Sequence, residues 1–278
     1  MIDKILLAFT WWLLNAPSFV RTLFIKLFVW LSLRTKLTRI CKDMSLIFKD
    51  LSTQEIRTLA HLCIVNTVAN MINILDIKKN TYRINSPIPI AQLTKDGAIF
   101  ASMHIGKTDA AAYALQQQGV KVCTIVGAGN HNQALHQLGL RTLEYLGVPY
   151  IKKSNTTFFQ LAQALNQGKS VFVHSDLKNE GAEVSFLGFQ TTVPKTAASL
   201  SLLAKKPLYF IYLLPDKKDN AFVVHIELVD GQFTAESTNT QKIEQLTYAL
   251  TRKMEVTILQ NPTQWFWAYN RFKGCSRV

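Results

Sequence analysis

From residue 97 onward short apolar runs alternate with amphipathic stretches, and this alternation restricts what the chain can fold into more than any other feature. Runs at 98–103, 120–126, 170–174, 208–214 and 222–228 have strand length, whereas 108–118, 131–146, 158–166, 195–205 and about 240–259 carry helical periodicity. Strand and helix taking turns in this way predict an α/β fold, a mostly parallel sheet covered by helices. In such sheets reactive groups collect beyond the carboxyl ends of the strands, where loops enter helices. Upstream, Ser52-Thr53 followed by Glu55 reads as a helix start, and a stripe including Ile56, Leu59, Cys63, Thr67 and Ile74 carries that helix to about residue 78. No repeat or Gly/Ser linker divides the chain, so residues 36–278 are read as one domain.

Residues 1–35 differ in character. Residues 5–20 contain no charge, and 22–33 stay apolar apart from Lys26, which predicts an N-terminal hydrophobic, helical membrane anchor. Pro17, Arg21 and Lys26 interrupt the run, which leaves open a span, a bent insertion and a helix lying in the interface. Trp11, Trp12 and Trp30 suit an interfacial setting, and Arg34, Lys36, Arg39 and Lys42 follow where anionic headgroups would meet them. By the positive-inside tendency the body then faces the cytoplasm. Across all 278 residues the net charge is +13, which favours anionic partners without choosing among them, and 48% apolar residues can supply a real core. Cys41, Cys63, Cys123 and Cys275 lie far apart with no metal-ligand spacing, so neither a zinc site nor a disulfide framework is indicated.

The candidate chemistry lies in Ala98-Ile-Phe-Ala-Ser-Met-His104-Ile-Gly-Lys-Thr-Asp109. A histidine just after an apolar strand is followed, in the first turn of the next helix, by a carboxylate that can reach back to it. That contact would fix one tautomer and stabilise the imidazolium, so His104 could take the proton of a hydroxyl or amine as it attacks a thioester carbonyl. Gly106-Lys107-Thr108 is not the end of a phosphate-binding loop, because G-x-x-x-x-G-K-[ST] needs glycine where Ala101 stands; Gly168-Lys169-Ser170 fails likewise at Gln163. Gly127-Ala-Gly129 lacks the third glycine of a dinucleotide site and reads as a turn. No G-x-S-x-G elbow is present. His131, His136, His174 and His225 have no acid at a useful spacing and are expected to be structural or solvated, and Arg271, Lys273 and Arg277 read as a solvated tail.

The His-x-x-x-x-Asp segment resembles the corresponding block of the lysophospholipid acyltransferase superfamily, and its surroundings are similar to the lipid A biosynthesis (late) acyltransferase branch. Leu51-Ser-Thr-Gln-Glu-Ile-Arg57 is similar to that family's first helix, and Asp176 with Gly181 and Val184-Ser-Phe-Leu-Gly188 is similar to its second acidic block and the strand beyond. Asn261-Pro-Thr-Gln-Trp-Phe-Trp-Ala-Tyr-Asn-Arg-Phe-Lys273 resembles its carboxyl-terminal block. The resemblance implies a glycerolipid-acyltransferase type of sheet and an acyl-carrier-protein or CoA thioester as donor. It also implies a membrane-lipid acceptor at the cytoplasmic face of a bacterial inner membrane, with neither cofactor nor metal. His104 is then the general base and Asp109 its partner, with Lys152, Lys153, Asp176 and Gly106 binding substrate. The chain departs from the family pattern at Lys107-Thr108, where Asn-Trp is usual, at Lys152-Lys153, where arginines are common, and at Tyr269-Asn270-Arg271, where His-Arg-Arg is usual. The acceptor therefore stays open among a lipid A precursor, a lysophospholipid, an aminolipid and a specialised lipid. A nucleotide-binding enzyme using Gly106-Lys107-Thr108 and a non-catalytic lipid-binding protein are the competing readings.

Overall fold

The computed structural model of the chain describes residues 2–127, 133–216, 218–219 and 221–277; the expected contributions of Gly129 and His131 lie outside the described residues. Three helices open the chain: α1 (Ile2–Asn15), α2 (Ser18–Ile47) and α3 (Thr53–Ile72), followed by a 3-10 segment, Ile74–Lys79. Next come β1 (Thr81–Asn85), α4 (Ile90–Asp96), β2 (Ile99–Ser102), α5 (Thr108–Gln117), β3 (Val122–Val126) and α6 (Gln133–Leu146). The chain continues through β4 (Tyr150–Lys152), α7 (Thr157–Asn166), β5 (Ser170–His174) and a hairpin of β6 (Ala182–Phe186) and β7 (Phe189–Val193). It ends with α8 (Thr196–Ala204), β8 (Leu208–Pro215), β9 (Ala221–Leu228), α9 (Asn239–Gln260) and β10 (Ser276–Arg277).

Seven strands form one sheet in the order β1-β9-β8-β2-β5-β3-β4, parallel at every pairing except β8 with β9, while β10-β7-β6 form a small antiparallel sheet. The expected α/β architecture is therefore present. Period-two alternation assigns each central strand to two cores. Ile99, Ala101, Val171, Val173, Leu208 and Phe210 pack on one face with residues of α3, α7, α8 and α9, whereas Phe100, Phe172, Tyr209 and Ile211 pack on the other with residues of α5 and α6. Strands buried on both sides read as unbroken apolar runs, which is why they were visible in the sequence.

The start of α3 is the expected capping box: the Ser52 hydroxyl accepts from the Glu55 N–H at 3.3 Å, and the Ser52 N–H donates to the Glu55 carboxylate at 2.7 Å. The helix does not continue to residue 78 as the apolar stripe predicted. It ends at Asn73, and the tighter 3-10 segment turns the chain so that Leu75 and Ile77 are buried.

At the N-terminus the helix breaks at Ala16-Pro17, and α2 runs through residue 35 to Ile47, packing along α3. Among the described residues no helix is long and apolar enough to cross a membrane. The physical reason is length and charge. The 14 residues of α1 extend about 21 Å against a hydrocarbon core of about 30 Å, and α2 carries Arg21, Lys26, Arg34, Lys36 and Arg39. Its exposed face nevertheless remains apolar at Phe19, Leu23, Leu27 and Leu31, spaced four residues apart, with Trp30 beside them and Phe19 75% exposed.

Candidate active site

β2 and β5 are neighbours in register, so the loops beyond their carboxyl ends meet. His104 leaves the first and Asp176 the second. The His104 ring nitrogen Nδ1 lies 2.8 Å from Asp176 Oδ1, while Asp176 Oδ2 accepts from the His104 backbone N–H at 3.0 Å and from Trp265 Nε1–H at 2.9 Å. Asp176 is fully buried. Burial alone would push its carboxyl up, but the His104 charge and these three donors hold it well below the usual carboxylate range. An ionised Asp176 requires Nδ1 of His104 to carry a proton, which leaves Nε2 as the basic atom. Burial disfavours the charged ring, yet attraction and hydrogen bonding from Asp176, with a further contribution from Asp109, raise its pKa above 6.5.

The contact that fixes the tautomer was expected from Asp109 and is made by Asp176. Among the described residues no hydrogen bond joins Asp109 to His104. Asp109 stands in the first turn of α5, lines the same cavity and acts on the ring through space; burial raises its own pKa and the charge of His104 opposes that rise. The pair named from spacing is thus brought to one site, with a different carboxylate bonded to the ring.

The cavity has a volume of about 270 Å³. Thr67, Asn70 and Met71 of α3 and Ile74 and Ile77 of the 3-10 segment form one side; His104, Gly106, Lys107 and Asp109 form the other, with Gln264 and Phe266 closing it. Gly106 is required by its backbone: φ is +58°, and a Cβ there would come within 2.5 Å of the Leu213 carbonyl oxygen. Its N–H donates to the Gln264 carbonyl at 2.9 Å, so that one donor is not free for a ligand.

The carboxyl-terminal block holds the site from below. Phe266 N–H donates to the His104 carbonyl at 2.9 Å, and Ile105 bridges to Trp265. Asn66 of α3 donates to the Thr263 carbonyl at 3.0 Å. Arg271, read from sequence as part of a solvated tail, is instead 1% exposed. Its guanidinium donates to the Asp176 carbonyl at 2.7 Å, to the Thr191 hydroxyl at 2.6 Å and to the Thr192 carbonyl at 2.8 Å, tying the Asp176 loop to the β6–β7 hairpin. Trp265 and Trp267 belong to the core, and Phe266 alone of that trio faces the cavity.

Lys152 and Lys153 are not brought to the cavity. Both are exposed at the end of edge strand β4, three strand spacings or about 14 Å from β2, and Lys152 lines a separate cleft with Tyr150, Ser154 and Gln160. Conversely, His174 was expected to be structural and lies in the site, its ring stacked on His104 with centroids 4.4 Å apart. Burial, reinforced by repulsion from His104, lowers its pKa to about 3, so it stays neutral. The available signal was its position at the carboxyl end of β5, two residues before Asp176.

The chain is similar to the crystal structure of the 1-acyl-sn-glycerophosphate acyltransferase PlsC from Thermotoga maritima, at 12% identity and a TM-score of 0.37, over 86% of this chain and 97% of that one. No curated protein matches it. Residues 2–274 match the family described as bacterial lipid A biosynthesis acyltransferase, and the chain belongs to that family and is an acyltransferase.

Proposed function

We propose that the protein transfers a fatty acyl group from a carrier thioester to a lipid acceptor, with His104 as general base, working at the cytoplasmic face of a bacterial inner membrane. The observation that carries this reading is the His104–Asp176 pair, one nitrogen bonded to a buried carboxylate and the other left basic beside a cavity. The acceptor hydroxyl or amine gives its proton to Nε2 as its oxygen or nitrogen attacks the thioester carbonyl. The C–S bond then breaks, and the imidazolium returns the proton to the departing thiolate. α5 begins at Thr108 with no side-chain cap from its N-cap residue Lys107, and Lys107, Thr108 and Asp109 all line the cavity, which supports the first N–H groups of that helix as donors to the oxyanion. An acidic acyl carrier protein suits the net charge of +13, with CoA as the alternative carrier. A lipid A precursor is the first acceptor to test.

The direct experiment incubates the purified protein with labelled acyl-carrier thioester and membrane lipid extract, and label entering lipid is the expected result. The raised pKa of His104 adds a pH signature. Because the ring must be neutral to accept a proton, kcat/KM should fall with unit slope on the acid side, through a midpoint above 6.5. A flat profile across roughly pH 5 to 8 would count against the base.

Attachment to the bilayer is proposed through the apolar face of α2 lying in the interface. Trp30 sits there beneath Arg34, whose guanidinium is 4.3 Å from the ring centroid, an arrangement suited to the headgroup level. Replacing Phe19 and Leu23 together with Ser should weaken binding to anionic vesicles by about tenfold or more, as read by co-sedimentation. Unchanged sedimentation would remove this face from the membrane.

A further inference from the structure

Lys107 stands where the cavity and a partly buried cluster of charges come together, and the acyl-transfer chemistry above makes no use of its side chain. It is half-buried, it lines the cavity three residues from His104, and among the described residues it makes no ion pair or hydrogen bond. Its ammonium rests 4.7 Å from the centroid of the Phe222 ring. The carboxylate that attracts it is Asp76, which is already bonded to Arg21 at 2.6 Å and Lys79 at 3.1 Å. Arg21 is 8% exposed, repels Lys107, and has a sealed Nε with no partner. Three cations therefore share one carboxylate, Lys79 from the solvent side and Arg21 and Lys107 from a partly apolar setting. Burying a cation without its own counter-charge is costly, and an anionic ligand is the usual remedy.

We infer that Lys107, backed by Arg21, recognises an anionic group, a phosphate monoester in the first instance, carried by the acyl acceptor a few atoms from the group that receives the chain. The assignment to the acceptor rests on the acyl-transfer reading. On a carrier thioester the nearest phosphate is separated from the reacting carbonyl by the whole pantetheine arm, whereas the reach of one lysine side chain from the His104 loop places this anion beside the nucleophile. Lysine suits the task as a point charge on a flexible stem that meets a phosphate oxygen without a fixed fork. The apolar side formed by Met71, Ile74 and Ile77 offers the lipid part of the same molecule a surface.

The test measures binding of dodecyl phosphate, with dodecanol as its uncharged counterpart, in neutral detergent micelles by calorimetry. Wild-type protein should bind the phosphate in preference to the alcohol. Lys107→Met and Lys107→Gln should each weaken phosphate binding by about tenfold or more, while Lys107→Arg stays near wild type. Circular dichroism and melting temperature show that the variants are folded. Equal binding by wild type and both Lys107 removals would overturn the inference, as would equal affinity of wild type for the two probes. Inorganic phosphate separates the sources: failure to displace the probe supports a lipid headgroup, and displacement at the probe's own concentration overturns the assignment to the acceptor. Absence of acyl transfer by wild type, with phosphate binding still dependent on Lys107, would sink the proposed reaction and not the anion site.

Discussion

Asp176→Asn should lower the rate of acyl transfer by about 10³–10⁴-fold while leaving the fold in place. The reason lies in which oxygen each donor uses. Asp176 Oδ2 receives two N–H groups, from the His104 backbone and from Trp265, whereas Oδ1 faces only the His104 ring. An asparagine keeps its carbonyl oxygen where two donors converge and so turns its NH₂ towards Nδ1. That nitrogen must then be the unprotonated one, the ring proton moves to Nε2, and the atom required as base becomes a donor. Asp176→Ala should also destabilise the protein by about 3 kcal/mol or more, since it leaves buried donors without an acceptor. Steady-state kinetics with a melting curve on each variant checks both statements, and an asparagine variant retaining a tenth of wild-type activity would contradict the tautomer argument.

His104→Ala should reduce transfer by about 10²–10⁴-fold, the usual contribution of a positioned general base. The loss is expected in kcat, with the melting temperature little changed. The backbone contacts at this turn, from His104 N–H to Asp176 and from Phe266 N–H to the His104 carbonyl, do not depend on the imidazole. The ring itself is 31% exposed and borders the cavity, so water can fill its place. Thioester consumption and lipid labelling should fall together. A variant that still transfers acyl chains at a rate near wild type would end the general-base role.

These effects depend on residues of unequal visibility in the sequence. Ser52 and Glu55 announced the start of α3 because a capping box is a local bargain between a side chain and its own backbone. β2, β5 and β8 were legible because strands buried on both faces are apolar throughout. β1 and the edge strand β4 were missed, being short and half-exposed, and so was the 3-10 break after Ile72, where the apolar stripe continues although the helix does not. Lys152 and Lys153 were expected in the site from the family resemblance alone, but the order β2-β5-β3-β4 puts the strand that carries them at the far edge.

What residue order alone determined was local: the alternation of strand and helix, the capped start of α3, the apolar N-terminal segment, and a histidine and a carboxylate flanking one strand-to-helix turn. Tertiary structure decided which acid serves that histidine. Asp176 is 72 residues from His104 along the chain and bonds to it because β5 pairs with β2, a choice of neighbours that no local periodicity encodes. The same pairing stacks His174 on His104, and the closing segment carries Arg271 inward to hold the Asp176 loop. Local pattern sets what each segment becomes, but hydrogen-bond geometry at an active site depends on distances between segments, and only the packed chain fixes those.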